Sequence, residues 1–481
     1  MLVKTNRQFT ILTIGLALVS FAGCSGSSDY PEAFKSRFVY SDRTDSLIAE
    51  AQNGIGELPG VKKLVDDRFG DPQDLMAWTK LPIDFGGISG KLAETPDASI
   101  AVKELKISFD GELATAENET ILLQFVTGTA APSVVVVNAW QPETGLASLS
   151  AAMEVAPAAG DEVIVGGGQK LVHGRGLYMR HCSHCHGTSG DGAGPTAQYL
   201  TPRPRDYRHG VFKFTSTDAL SKASKDDLSR VLRNGIPGTY MPSFVPMLNE
   251  DDLADVVEYV RFLAMRGEFE RKVVSELASD YSEEAVKSRR DSGESRKDIV
   301  EELKSFLAED MQDSLEFVTD DLSGGWDSAN SEDALVVPEI ARVEDTIESR
   351  RIGRELYLSK TINCADCHGI SAKGNGPQTT IYEENPVTKQ LYTEPGLHDV
   401  WDNVNQPRNL TQGIYRGGRR PIDLFRRIHA GIKGSRMPSF KNLKHEDIWH
   451  IVNYVLSVPF NAEPGHAPVA TSEDPATAAS L

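Results

Sequence analysis

Cysteine is scarce in this chain of 481 residues, and long hydrophobic runs are nearly absent. Of the five cysteines, only Cys24 lies outside two short clusters, so no cysteines remain to build a disulfide framework. Beyond the N-terminal segment, no stretch is long and apolar enough to span a bilayer. Basic stripes with interleaved aromatic residues are also missing, which excludes a nucleic-acid surface.

The two cysteine clusters share the form Cys-x-x-Cys-His, the attachment signature of a c-type heme. The two thiols of such a cluster add across the vinyl groups of one porphyrin, and the histidine that follows lies under the iron as an axial ligand. Two clusters therefore predict two hemes c. The residues are Cys182, Cys185 and His186 in the first cluster, and Cys364, Cys367 and His368 in the second.

Other uses of paired cysteines remain as alternatives. Two Cys-x-x-Cys hooks can hold one zinc ion with four thiolates, and a single hook can act as a redox-active dithiol. Neither use requires a histidine directly after the second cysteine, and each cluster here also has its own downstream methionine. Heme is therefore the favoured interpretation.

The N-terminus has the form of an export signal. Lys4 and Arg7 precede an apolar run over residues 9–19, and small residues follow it, as in a cleaved signal peptide. We assign residues 1–23 to this signal. The cysteine after Ala-Gly resembles that of a bacterial lipobox, which predicts a lipid on Cys24 and a periplasmic, membrane-anchored protein. An uncleaved membrane anchor is the alternative, although the run is short for a bilayer.

An internal repeat surrounds the two clusters. Each copy has a Gly-Arg-x-Leu-Tyr segment before the cluster, a glycine-rich loop ending in proline after it, then Pro-Arg, and finally Met-Pro-Ser-Phe. Apolar residues at helical spacing close both copies, and Asn249 is predicted to cap the first of these closing helices. The tyrosines at matched positions are expected to pack helix against helix: Tyr178, Tyr259, Tyr357 and Tyr454.

This repeat resembles the cytochrome c family, in the tandem diheme form found in exported bacterial electron carriers. The resemblance covers residues 169–266 and 347–460 and implies two small all-α domains, each wrapped around one heme. It also implies a proximal histidine and a distal methionine at each iron. The implied ligand pairs are His186 with Met241, and His368 with Met437.

The resemblance implies supporting roles for prolines and arginines. A proline carbonyl that accepts the second ring hydrogen of the proximal histidine would fix the orientation of the ring. Arginines after the glycine-rich loops are candidate partners of the heme propionates, with surface salt bridges as their alternative role. The proline candidates are Pro195 and Pro377, with Pro202 or Pro407 as alternatives, and the arginines are Arg205 and Arg408.

We predict a mainly α protein in which further segments accompany the two helical domains. Residues 24–168 include alternating apolar positions typical of strands and suggest a small β-rich module. Residues 267–346 are acidic and read as a partly helical linker that ends in a loop at 323–326. The second repeat carries an insertion at 381–405, expected to form a loop over one heme edge. Residues 461–481 have the composition of a disordered tail.

The family resemblance implies a non-enzymatic carrier of single electrons. The expected partners are redox proteins such as a quinol-oxidising complex or a terminal oxidase, with the lipid as the membrane contact. A permanent cytochrome subunit of such a complex is the alternative. A diheme peroxidase is a further alternative, but it needs an iron that can open a coordination position, and the two methionine loops argue against it.

Overall fold

The computed structural model describes residues 38–41, 61–73, 75–97, 102–109, 121–130, 133–141, 143–153, 155–386 and 388–460. The predicted signal, its Cys24 and the predicted tail lie outside these ranges. Within them, no helix combines the length and apolar character that crossing a bilayer requires.

A small β-barrel occupies the N-terminal part, after one helix, α1 (Val61–Phe69). Its six strands pair antiparallel in the closed order β1-β2-β5-β4-β3-β6. Alternation builds its interior: in β2, Leu105 and Ile107 are buried, whereas Glu104 and Lys106 face solvent. The barrel agrees with the expected β-rich module. The strands are β1 (Ile88–Leu92), β2 (Glu104–Phe109), β3 (Ile121–Phe125), β4 (Val134–Gln141), β5 (Leu146–Leu149) and β6 (Glu162–Val165).

The first repeat folds as helices around its cysteine cluster. Asn249 caps the closing helix as predicted, because its side chain accepts a hydrogen bond from the backbone N–H of Asp252. The helix before the cluster crosses this closing helix at Gly174, where a Cβ atom would overlap with the carbonyl oxygen of Asp255. The helices are α2 (Gln169–His181), α3 (Ser183–His186), α4 (Lys225–Asn234) and α5 (Glu250–Tyr281).

The predicted boundary between the first domain and the linker, at residues 266 and 267, falls inside α5. The helix runs for 32 residues, because its apolar face stays buried beyond that point, at Phe269, Val273 and Leu277. Three more helices follow: α6 (Glu283–Asp291), α7 (Arg296–Ala308) and α8 (Asp310–Ser328).

The loop predicted at residues 323–326 is wrong, because these residues belong to α8. Trp326 is fully buried, and its indole N–H donates to a carboxylate oxygen of Glu268 on α5, at 3.1 Å. This packing outweighs the low helix propensity of Gly324 and Gly325, which costs about 1 kcal/mol for each glycine.

The second repeat reproduces the helices of the first. Its first helix crosses its last at Gly353, where a Cβ atom would overlap with the carbonyl oxygen of His450. The ring centroids of Tyr357 and Tyr454 lie 5.3 Å apart, matching the 5.2 Å between Tyr178 and Tyr259. The expected helix-to-helix packing of the tyrosines is therefore confirmed. The helices are α9 (Ile347–Leu358), α10 (Cys364–His368), α11 (Pro421–His429) and α12 (His445–Ser457).

The crossing of α2 and α5 predicts opposite effects for two neighbouring glycines. Gly174→Ala places a methyl group against the backbone of α5, so we expect a loss of about 1–3 kcal/mol in the free energy of unfolding. Gly176 lies on the same helix with no atom near its would-be Cβ. Gly176→Ala should therefore stabilise the protein by up to about 1 kcal/mol. Denaturant unfolding of the holoprotein measures both changes, and stabilisation by Gly174→Ala would contradict the close crossing.

Candidate heme centres

Each cysteine cluster forms a short helical turn directly after a longer helix. α3 follows α2, and α10 follows α9 after a short loop. The residue after each histidine is a glycine at positive φ, 74° at Gly187 and 78° at Gly369, a backbone conformation that glycine adopts without strain. None of the four cluster cysteines is in a disulfide. Among the residues described, no three histidine, cysteine or carboxylate side chains converge as a metal-binding group.

The two cluster histidines are held by the same backbone contact. Nδ1 of His186 lies 3.1 Å from the carbonyl oxygen of Arg205, and Nδ1 of His368 lies 3.2 Å from that of Arg408. A proton on Nδ1 satisfies this acceptor and leaves the Nε2 lone pair available to a metal. Burial lowers the pKa of His186 to about 4 and also lowers that of His368, so both imidazoles are neutral at physiological pH.

The acceptor is thus an arginine carbonyl, and the assignment of Pro195 and Pro377 to this role is corrected. The loop that carries Pro195 packs instead on the cluster backbone: the N–H of Gly194 donates to the carbonyl of Cys185. Gly376, before Pro377, donates in the same way to Cys367. The alternatives Pro202 and Pro407 are not the acceptors either. In the sequence, the feature that indicates this contact is the repeated Pro-Arg pair, whose arginine supplies the acceptor carbonyl.

The two methionines lie in loops of identical construction. The N–H of Ile236 donates to the carbonyl of Met241 at 3.0 Å, and the N–H of Ile432 donates to that of Met437 at 3.1 Å. A glycine at positive φ precedes each isoleucine, and its missing side chain leaves room for the methionine carbonyl. Both methionine side chains are partly buried and pack against the core of their own domain.

One continuous cavity connects the two clusters. Its volume is about 1000 Å³, at the upper end of the range for small-molecule and cofactor sites. Both cysteine clusters, both methionines and both arginines of the Pro-Arg pairs line it. Cysteine thiols, neutral imidazoles, thioethers and cationic side chains around one largely apolar cavity fit covalently attached hemes.

Comparison with known proteins agrees with this chemistry. The model of the family described as cytochrome c matches residues 171–264 and 351–459. Cytochrome c55X of Paracoccus denitrificans is 30% identical to this chain over 86 residues, which are 18% of this chain and 67% of that protein. The chain belongs to the cytochrome c family. Members of this family carry covalently bound heme c, and electron transfer is the function that the family suggests.

A solved structure shows a looser similarity. A chain of a reducing HAO-like protein complex from Kuenenia stuttgartiensis is 22% identical, with a TM-score of 0.41. The similarity covers 60% of this chain and 95% of that one.

Two tyrosines have a role in these cytochrome domains that sequence reasoning missed. The hydroxyl of Tyr178 donates to the carbonyl of Gly187, and that of Tyr357 donates to the carbonyl of Gly369, both at 2.8 Å. These carbonyls belong to the residues directly after the cluster histidines. The tyrosines therefore fix the end of each cluster as well as packing two helices together.

The side chains of the arginines in the two Pro-Arg pairs lie along the cavity wall. The guanidinium carbon of Arg205 lies 3.6 Å from the ring centroid of Trp401, in the insertion of the second repeat. Arg408 donates from Nε to the carbonyl of Ile414 at 2.9 Å. Both positions border the cavity, and contact with heme propionates stays a prediction.

The tyrosine contact predicts a difference between two nearby conservative substitutions. Tyr178→Phe leaves the buried carbonyl of Gly187 without its partner, so we expect the free energy of unfolding to fall by about 1–3 kcal/mol. Tyr259→Phe removes a buried hydroxyl that has no hydrogen-bond partner among the described residues, so its effect should be near zero or stabilising. Denaturant unfolding of the two holoproteins compares them, and equal losses would contradict the role of the Tyr178 hydroxyl.

Proposed function

We propose that this protein is an exported diheme electron carrier. Each Cys-x-x-Cys-His cluster attaches one heme c, with His186 and Met241 as axial ligands in the first domain and His368 and Met437 in the second. The observation that carries the proposal is the shared cavity, around which both complete sets of thiol, imidazole and thioether groups lie.

The bound hemes supply reversible one-electron chemistry, and the chain determines how they are held. The carbonyls of Arg205 and Arg408 fix the two imidazole rings. The methionine loops would supply the second protein ligand of each iron, and a thioether ligand raises the reduction potential relative to a second histidine. An iron held by both a histidine and a methionine would have no free position for peroxide or oxygen. This supports outer-sphere electron transfer rather than catalysis.

Contacts between the two domains support an electron relay through one chain. Nζ of Lys433, in the second methionine loop, donates to Thr217 Oγ1 at 2.7 Å and to the carbonyl of Ser221 at 2.5 Å in the first domain. Lys213 of the first domain pairs with Asp399 of the second at 2.8 Å. The two domains are therefore in direct contact next to the cavity that Lys213 lines, which supports passage of an electron from one domain to the other.

The proposed site of action is the periplasmic face of a membrane. Lipidation of Cys24 would keep the carrier near membrane-bound redox complexes, with a quinol-oxidising complex or a terminal oxidase as donor and acceptor. A single lipid chain binds a membrane only weakly, so stable anchoring needs more than one chain or a second contact. A permanent cytochrome subunit of such a complex would use the same heme chemistry.

Optical and EPR spectra of the purified holoprotein test the ligand assignment, and its mass gives the number of attached hemes. We expect two hemes per chain, both low-spin, with the iron–methionine charge-transfer band. Met241→Ala should weaken this band, lower the potential of one heme and open a site for cyanide. Met247→Ala is the matched control, because Met247 also borders the cavity but is half exposed, and it should leave the band unchanged.

An unchanged band in Met241→Ala would contradict the assignment of that ligand. A high-spin heme or peroxide turnover in the unmodified protein would contradict the carrier function.

The anchoring proposal predicts a change of location for Cys24→Ala. Without the thiol no lipid can be attached, so the protein should move from the membrane fraction to the soluble periplasmic fraction while keeping both hemes. Heme-stained gels of the two fractions measure this. If Cys24→Ala stays in the membrane fraction, lipidation is not the anchor.

A further inference from the structure

The contact between the two cytochrome domains has approximate two-fold symmetry. We call residues 205–214 and 408–417 the arginine segments. They match, because each starts at the carbonyl that holds a cluster histidine and continues through a short 3-10 turn that ends in a glycine at positive φ. Phe214 therefore matches Gly417, and these two positions meet: a Cβ atom at Gly417 would lie 2.7 Å from Cβ of Phe214. In a two-fold interface, every other contact should then occur twice with the domains exchanged.

The second domain covers the tip of the first methionine loop. This tip is Gly238, at φ of 75°. A Cβ atom there would lie 2.9 Å from Nη2 of Arg408 and 3.2 Å from Cγ2 of Ile414. Both residues belong to the arginine segment of the second domain, so one domain packs directly on the loop that carries the methionine of the other.

The exchanged contact exists at the tip of the second methionine loop. This tip is Gly434, where a Cβ atom would lie 3.2 Å from Cγ1 of Val211, the residue of the first domain that matches Ile414. The same Cβ atom would lie 2.6 Å from the ring of Trp401. Trp401 in turn stacks on Arg205 of the first domain, so the insertion of the second repeat lies between that arginine and the tip.

A charged group also fastens the second loop to the first domain. Nζ of Lys433, next to the tip, donates to Oγ1 of Thr217 at 2.7 Å and to the carbonyl of Ser221 at 2.5 Å. Thr217 is fully buried. The matched position of the first loop is Pro237, which has no group that could make such a contact.

One hydroxyl group connects each tip to its methionine. The N–H of Met241 donates to Oγ1 of Thr239 at 3.1 Å, and the N–H of Met437 donates to Oγ of Ser435 at 3.2 Å. Thr239 and Ser435 directly follow the two tip glycines. Each hydroxyl also donates to a carbonyl at the start of its own loop, at 2.7 Å. A displaced tip would therefore move the backbone that carries the methionine.

We propose that each cytochrome domain keeps the methionine loop of the other closed, so that residues of one domain position the distal ligand of the other. When a tip loses its cover, the loop opens more often and its methionine leaves the iron. An external ligand then binds with higher apparent affinity, because this affinity is the intrinsic affinity multiplied by the open fraction. The inference rests on the proposed diheme function, since it concerns the second ligand of each iron.

Cyanide titration of the ferric holoprotein tests the role of Lys433. In a Met241→His background only the second heme contributes the iron–methionine band, so loss of this band reports cyanide binding there. Lys433→Met removes the charged fastening, and we expect the apparent cyanide affinity of the second heme to rise by about tenfold. Lys441→Met is the matched control, because Lys441 lies four residues after Met437 as Lys433 lies four before it. Lys441 is exposed, so the same loss of charge should change the affinity by less than about twofold.

A crossed pair of substitutions tests the positioning between domains. Ile414→Ala removes cover from the first loop although it lies in the second domain. In a Met437→His background it should raise the cyanide affinity of the first heme by about threefold. In the Met241→His background it should change the affinity of the second heme by no more than about 1.5-fold. Val211→Ala should give the reverse pattern, with the larger effect at the second heme.

The outcomes separate this inference from the proposed function. Fewer than two attached hemes, or an iron–methionine band that survives the loss of both Met241 and Met437, would overturn the proposed function itself. With two methionine-ligated hemes present, an unchanged affinity in Lys433→Met, or an equal rise in Lys441→Met, would overturn the role of Lys433.

The crossed pair decides the inference even where Lys433→Met does not fold. An effect of Ile414→Ala on the second heme as large as that on the first would overturn positioning between the domains, because a residue that only supports its own domain acts on its own heme. Two larger effects, each at the heme of the opposite domain, support it.

Discussion

The close contact between the first and last helices of each cytochrome domain is the constraint on which the rest of the structure depends. Gly174 and Gly353 bring one helix against the backbone of the other. Each crossing places a tyrosine of the first helix beside a tyrosine of the last, within reach of the carbonyl that follows the cluster histidine. The position of the heme-binding cluster is therefore set by a backbone contact, and larger side chains at these two glycines are sterically excluded.

The sequence predicted the parts of the fold that depend on local chemistry. The cysteine clusters, the matched methionine loops and the Asn249 cap follow from spacing and hydrogen-bonding capacity over a few residues. Other features of the fold depend on contacts between residues that are distant in the sequence. The long helix α5 continues past residue 266 because distant apolar residues cover it, and Gly324 and Gly325 stay helical because Trp326 is buried against that helix. The arginine carbonyls that hold the histidines belong to the repeated Pro-Arg pairs, but the sequence of a pair does not show which of its two carbonyls is the acceptor.

The two repeats share the helices around their clusters but differ at the surface where they meet. Arginines of both Pro-Arg pairs line the cavity, but only the second domain carries the insertion, which brings Asp399 to Lys213 and Trp401 to Arg205. Charged groups that are shielded from solvent interact over several ångströms in a medium of low polarity. The insertion therefore changes the charge and packing around the first domain's cations without any change in its cysteine cluster.

The shared cavity also ties the two domains to each other. Both clusters, both methionines and both arginines of the Pro-Arg pairs line the same space. A substitution on its wall therefore changes the volume and polarity around both clusters at once, because closely packed interiors transmit such changes to their neighbours. Neither domain can be altered at this surface without an effect on its copy.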